Sequence, residues 1–122
     1  MKLTSFSLPS NVSRNGALYD IGMSIDIVTS VPNEIVLASL TGLFTHAATH
    51  TSQWRWYVDG VVYDPACFTS VALTGGYAGS WNTFSPLLIP SPGNHVIAMW
   101  VYSDNTTVWY AGSRLDIFQF PQ

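Results

Sequence analysis

The sequence predicts an all-β fold, an antiparallel β-sandwich of jelly-roll-like form. Three observations carry that expectation. In the segment Leu18 to Val28, Ile21, Met23, Ile25 and Ile27 alternate with Asp20, Gly22, Ser24 and Asp26, the period of a strand with one buried and one polar face. In QWRWYVDGVVY, Asp59-Gly60 stands between two β-rich runs and suits a type I′ hairpin turn. No segment shows a 3.6-residue apolar period, and roughly eight β-rich runs follow one another about 8–15 residues apart.

The elements follow in order. Residues 1–16, MKLTSFSLPSNVSRNG, are polar and unpatterned and read as an N-terminal arm, leaving residues 17–122 as a single β-sandwich domain. After the Leu18–Val28 strand, Pro32-Asn33 makes a stop. Ile35 to Phe44 follows, with Val36, Ala38, Leu40 and Phe44 on one side. On the other side Ile35 and Leu37 give way to Ser39 and Thr41, so that face is expected to be only partly buried. Across the hairpin strand, Trp54, Trp56 and Val58 oppose Gln53, Arg55 and Tyr57. Phe68 to Leu73 makes a short strand, and Gly75-Gly76 with Gly79-Ser80 marks a flexible loop carrying Tyr77 and Trp81. Pro86, Pro90 and Pro92 bracket Leu87-Leu88-Ile89 and confine it to an edge or a connector. The closing stretch contains a Pro92-Gly93 turn, an apolar run from His95 to Tyr102 and a polar turn at Ser103-Asp104-Asn105. It continues with a second arm from Thr106 to Tyr110, a break at Ala111-Gly112-Ser113, and a final strand from Arg114 to Phe120.

Composition narrows the function. The chain has 122 residues, enough for one domain that buries about two thirds of its unfolded surface. Charged residues make up 9% of it, against ~25% in ordinary soluble domains, while five Trp, six Tyr and six Phe crowd a small core. A weakly charged surface with surplus aromatics favours self-association or cover by a larger assembly. The four bases are scattered and the net charge is -3, which argues against nucleic acid. Thr4, Ser5, Ser7, Pro9 and Ser10 interrupt any signal-peptide core, no apolar run reaches the ~20 residues of a membrane span, and Cys67 has no intrachain partner. The expectation is assembly in a reducing cytosol, without a membrane or a cofactor.

Candidate chemistry is sparse. His46 and His50 stand four residues apart, about 13 Å in extended chain, too far for one ion, and no Cys or carboxylate cluster joins them, so no metal site is expected. His95 follows a turn and is expected to hydrogen-bond backbone there. Cys67 has no basic neighbour to activate it. Asp20 and Asp26 share a strand face and read as solvated side chains, so no catalytic residue is assigned and the chain is not expected to be an enzyme. The aromatics divide between core, subunit contact and glycan stacking, and Tyr77 and Trp81 are the glycan-binding candidates because they sit on a glycine-rich loop. Arg114 and Asp116 share a face of the last strand with Phe118 and Phe120, opposite Leu115, Ile117 and Gln119; large groups on both faces point to a neighbouring subunit covering one of them.

Taken together, WRWYVDGVVY, PGNHVIAMWVYSDN and GSRLDIFQF resemble the trimeric C1q/TNF-like jelly-roll domains of phage virion proteins. Trp54, Trp56, Asp59 and Gly60 match a tryptophan strand leading into an Asp-Gly turn. Pro92, Gly93, His95, Val96 and Trp100 match a Pro-Gly-x-His strand, and Arg114, Leu115 and Ile117 match the closing strand. No collagen-like or heptad stalk accompanies these motifs, and the scattered acids carry over no calcium site. An immunoglobulin-like sandwich shares the Trp strand and Asp-Gly turn. The resemblance implies a homotrimer that decorates or caps a phage particle, partnered by capsid or another virion protein, assembled in the host cytoplasm and carried in the virion. The N-terminal arm would lie against that partner, and Trp100, Tyr102, Trp109, Phe118 and Phe120 would form the subunit interface. The alternative is a receptor- or carbohydrate-binding domain at a tail or fibre tip, partnered by a host surface glycan.

Overall fold

The computed structural model describes residues 1–46, 50–63, 68–72 and 78–120. Nine strands follow in sequence: β1 (Lys2–Ser7), β2 (Val12–Thr29), β3 (Glu34–His46), β4 (His50–Val58), β5 (Val61–Val62), β6 (Phe68–Ala72), β7 (Ala78–Ile89), β8 (Gly93–Trp109) and β9 (Arg114–Gln119). Every pairing is antiparallel. One layer has the order β1-β9-β3-β7, and the other runs β2-β8-β4, with β6 and β5 pairing successive parts of the far edge of β4. The fold is an antiparallel jelly-roll sandwich.

Two long strands belong to both layers. The first part of β8 lies between β2 and β4, from Ile97 to Tyr102, while Thr107 to Trp109 pair with β3. β2 accompanies β8 throughout, with register shifts between Arg14 and Gly16, Gly16 and Tyr19, and Asp20 and Ser24. Such irregularities sharpen local twist, which is how a ribbon turns from one sheet into the other. Ser103-Asp104-Asn105 therefore does not form the expected turn. These residues fall within an uninterrupted β8, in the interval where Arg14 pairs with Thr107 but Gly16 with Ser103.

The arm expected over residues 1–16 is likewise replaced by sheet. β1 pairs with β9 from Lys2↔Gln119 to Ser7↔Arg114, and Val12 already pairs with Trp109. The reason is the backbone edge of β9, which β1 satisfies while Phe6 packs on the core. The jog from β1 to β2 and that from β8 to β9 hold each other: Leu8 N–H donates to Ser113 O at 2.8 Å, and Gly112 N–H to Leu8 O at 2.9 Å. Trp81, expected on a loop, lies within β7 opposite Gly42, because β3 supplies a ladder for the chain from Ala78 onward.

The core sits between the layers. Met23, Ile25 and Ile27 of β2, Val36, Ala38, Leu40 and Phe44 of β3, Leu87 and Ile89 of β7, and Leu115 and Ile117 of β9 are buried, as their period-2 spacing requires. Phe44, Trp54 and Trp109 fill the centre, with Trp54 and Trp109 edge-to-face at 4.9 Å and Phe44 5.5 Å from Trp54 across the sandwich. Gly42 makes room for this cluster. A Cβ there would stand 2.8 Å from Trp109 Cζ3 and 2.6 Å from Ser113 Oγ. The Asp59-Gly60 turn has φ values of 52° and 79°, the two positive angles of a type I′ hairpin.

Candidate functional site

Three places outside the core gather binding chemistry. The broadest is the outer face of β1-β9-β3-β7. Strand register sets Leu3, Phe118, Leu37 and Pro86 side by side across four strands, with Ile35 opposite Leu88 in the next row. On the other flank lie Ser5, Asp116, Ser39 and Phe84. Leu3, Ile35, Phe84, Leu88 and Phe120 keep between 43% and 60% of their surface exposed. The rings of Phe84 and Phe118 lie 6.0 Å apart. A contiguous apolar face of this kind is the mark of a contact surface. Within it the Asp116 carboxylate is buried but satisfied: Ser5 Oγ donates to one oxygen, and Arg114 Nε to the other at 2.9 Å.

The second place joins the β4–β5 turn to the start of β8. His95 Nδ1 lies 2.6 Å from Asp59 Oδ2, and His95 Nε2 lies 2.7 Å from the Ser91 carbonyl oxygen. Asp59 Oδ1 accepts the Val96 N–H at 2.8 Å. The hydrogen bond to Asp59 raises the imidazole pKa above its ordinary value, against the effect of burial. For Asp59, burial works to raise the pKa, but the bonds from His95 and Val96 outweigh it and the net direction is down. A groove of about 450 Å³ opens beside this pair, lined by Val58, Val61, Tyr63, Leu88 and Pro90 among others. The geometry is that of a clamp on the hairpin.

The third is the outer face of the opposite sheet. Gln53, Arg55 and Tyr57 of β4 stand across from Tyr102, Trp100 and Ala98 of β8. Tyr57 and Trp100 pack with centroids 4.9 Å apart, and Arg55 Nη2 donates to Gln53 Oε1 at 2.8 Å.

These placements sort the residues expected at a subunit interface. Phe118 and Phe120 lie on the apolar face of the first sheet, whereas Trp100 and Tyr102 lie on the outside of the second, so one flat contact cannot include both pairs. Trp109 is fully buried inside a single chain, which corrects its assignment: it has no surface left to give a partner. Of the glycan candidates, Tyr77 lies outside the described residues, as does Cys67, and Trp81 is placed only by its strand. His46 ends β3 and His50 begins β4. Among the described residues no group of three or more His, Cys, Asp or Glu could hold a metal ion, and no helix is long and apolar enough to cross a membrane. Sequence reasoning missed Leu3, Phe84 and Leu88. The signal for Phe84 and Leu88 was the alternation Phe84, Pro86, Leu88 against Ser85, Leu87, Ile89, hidden by the prolines.

No family model matches the chain, and no curated protein matches it in sequence. Solved structures similar in fold include the Eiger TNF from S. frugiperda, with a TM-score of 0.61 at 8% identity over 98% of this chain and 94% of that one. The structure of infectious bursal disease virus, Gt strain, gives 0.60 at 12% identity over 95% of this chain, which spans only 33% of the viral one. The CBM36-1 domain of a multidomain xylanase from the hindgut metagenome of Trinervitermes trinervoides gives 0.54 at 12% identity, over 99% of this chain and 100% of that domain. Each likeness is one of fold, that of a jelly-roll sandwich.

Proposed function

We propose that this protein is a structural component of a bacteriophage virion, a homotrimer that decorates or caps the particle and acts by binding and reinforcement. The observation that carries the proposal is the exposed apolar face on β1-β9-β3-β7, where Leu3, Leu37, Phe84, Leu88 and Phe118 form rows rather than scattered contacts. Such a face suits burial against a second copy. The low charge content and the viral jelly roll of similar fold support a place in a particle, and the likeness to a TNF together with the C1q/TNF-like motifs supports three-fold association.

Sedimentation velocity tests the assembly. Wild-type protein is expected near three times the 13.4 kDa chain mass, roughly 40 kDa. Phe84→Asp is expected to sediment as a monomer with an unchanged circular dichroism spectrum, and a monomeric wild type at high micromolar concentration refutes the reading. Co-sedimentation with empty capsids tests decoration. A second reading, carbohydrate binding at a tail or fibre tip, is favoured by the aromatic outer face of β4 and β8.

A further inference from the structure

We propose that the outer face of β2-β8-β4 is a carbohydrate platform, with the rings of Tyr57, Trp100 and Tyr102 stacking on pyranose faces and Arg55 and Gln53 binding hydroxyl or carboxylate oxygens. This rests on the carbohydrate-binding reading and is independent of trimer formation, which uses the other sheet.

The strand register builds the platform. β8 turns Ile97, Met99 and Val101 into the core, so Ala98, Trp100 and Tyr102 must face out. β4 turns Trp54 and Trp56 inward, so Gln53, Arg55 and Tyr57 face out beside them. The Tyr57 and Trp100 rings pack on each other, centroids 4.9 Å apart and planes 35° apart, so they stand on the sheet as one unit with its outer faces and edges free for a ligand. Ala98 sits on the same face and is only 8% exposed, which is what two rings closing over it produce.

The next strand supplies a floor. On β2 the outward residues Ser24 and Asp26 are exposed, with Ser24 opposite Ala98 and Asp26 opposite Val96. Neither rises as far as an aromatic ring, so beside Ala98 the surface drops to a shallow step that carries a hydroxyl and a carboxylate. On the other side Arg55 Nη2 donates to Gln53 Oε1 at 2.8 Å, which brings the guanidinium beside the amide on this face. A pyranose chain has the complementary shape and chemistry. Its C–H faces are attracted to the electron-rich faces of aromatic rings, and its equatorial hydroxyls radiate toward donors and acceptors at the edge.

The two outer faces differ in what their polar groups do. On the first, Leu3, Ile35 and Leu88 leave aliphatic surface exposed, and the carboxylate of Asp116 is already taken up by Ser5 and Arg114, which suits a desolvated protein contact. Here aromatic rings adjoin the Arg55–Gln53 pair, the Ser24 hydroxyl and the Asp26 carboxylate, exposed polar groups that a ligand covering them must hydrogen-bond.

The test is a printed array of bacterial-surface, plant and animal glycans, followed by calorimetric titration of the strongest hit. Wild-type protein is expected to bind one glycan class. Trp100→Ala is expected to weaken that binding by about tenfold or more, as loss of a central aromatic contact does. Since Trp100→Ala also uncovers Ala98, a second variant guards against misfolding: Ser24→Arg keeps every ring and obstructs the floor, and is expected to abolish binding while the circular dichroism spectrum is unchanged. Phe84→Asp is expected to retain the wild-type affinity per chain even as a monomer, which separates this site from the assembly face. An array without any signal above background overturns the proposal. So does binding that survives both Trp100→Ala and Ser24→Arg, or that is lost in Trp81→Ala alone.

Discussion

The imidazole of His95 is bonded on both sides to acceptors: Asp59 Oδ2 lies 2.6 Å from Nδ1, and the Ser91 carbonyl oxygen lies 2.7 Å from Nε2. Both partners are acceptors, so the two bonds are made together only when the ring is protonated, which favours the imidazolium. A neutral ring would leave one nitrogen lone pair facing an oxygen.

That arrangement sets a pH dependence. The pKa of His95 is raised above 6.5, so its contribution to stability is complete below 6.5 and is lost as pH rises through the raised value. Asp59 is lowered from 3.8, so its contribution is complete above 3.8 and is lost as pH falls through the lowered value. The melting temperature should decline as pH rises through the raised pKa of His95, above 6.5. His95→Gln should flatten that limb, and a limb of unchanged slope would assign the decline to another group.

Gly42 should tolerate no side chain. In Gly42→Ala the new Cβ meets Ser113 Oγ at 2.6 Å and Trp109 Cζ3 at 2.8 Å, both fixed at the corner between the sheets. Overpacking of this kind costs about 1–3 kcal/mol, read as a lowered denaturation midpoint. Adding Ser113→Gly should restore part of it, since that removes one of the two obstacles.

Asp116 should control the docking of β1. Asp116→Ala removes the acceptor of Ser5 Oγ and strands the Arg114 head group, leaving β1 held by its backbone ladder and Phe6. Hydrogen exchange in residues 2–7 should accelerate far more than in β3, with a global loss of about 1–3 kcal/mol. Equal acceleration in both strands would show that Asp116 acts on the whole sandwich.

Trp109 should behave as core. Trp109→Ala is expected to cost about 3–5 kcal/mol and to unfold the single chain rather than yield a folded monomer. A folded, dissociated variant would return this residue to the interface.

The fold was legible because the buried faces obey a simple period. Val36, Ala38, Leu40 and Phe44 could be assigned to one face from spacing alone, and Asp59-Gly60 named its own turn. What spacing could not supply was the partner of each strand. Lys2 to Ser7 read as an arm because its outward residues are mostly polar, and only the edge of β9 makes it a strand. Ser103-Asp104-Asn105 read as a turn because polar clusters usually are turns, whereas here a β-ribbon crosses between sheets and absorbs them in a register shift. The binding faces were half visible. Phe118, Trp100 and Tyr102 were singled out, but period-2 patterns do not say which sheet a strand joins, so residues from opposite sides of the molecule were grouped together.

The pairing of β1 with β9 also fixes an order of events during synthesis. Among the described residues β1 has no ladder except that with β9, so it waits for residues 114–119 to leave the ribosome. Until then the side of β3 that receives β9 is open along Leu37 to Thr41, and Phe6 has no sheet to hold it against the core. The nascent chain thus carries unpaired strand edges and apolar surface from the synthesis of β1 to that of β9, the interval in which a neighbouring copy on the same messenger could capture them.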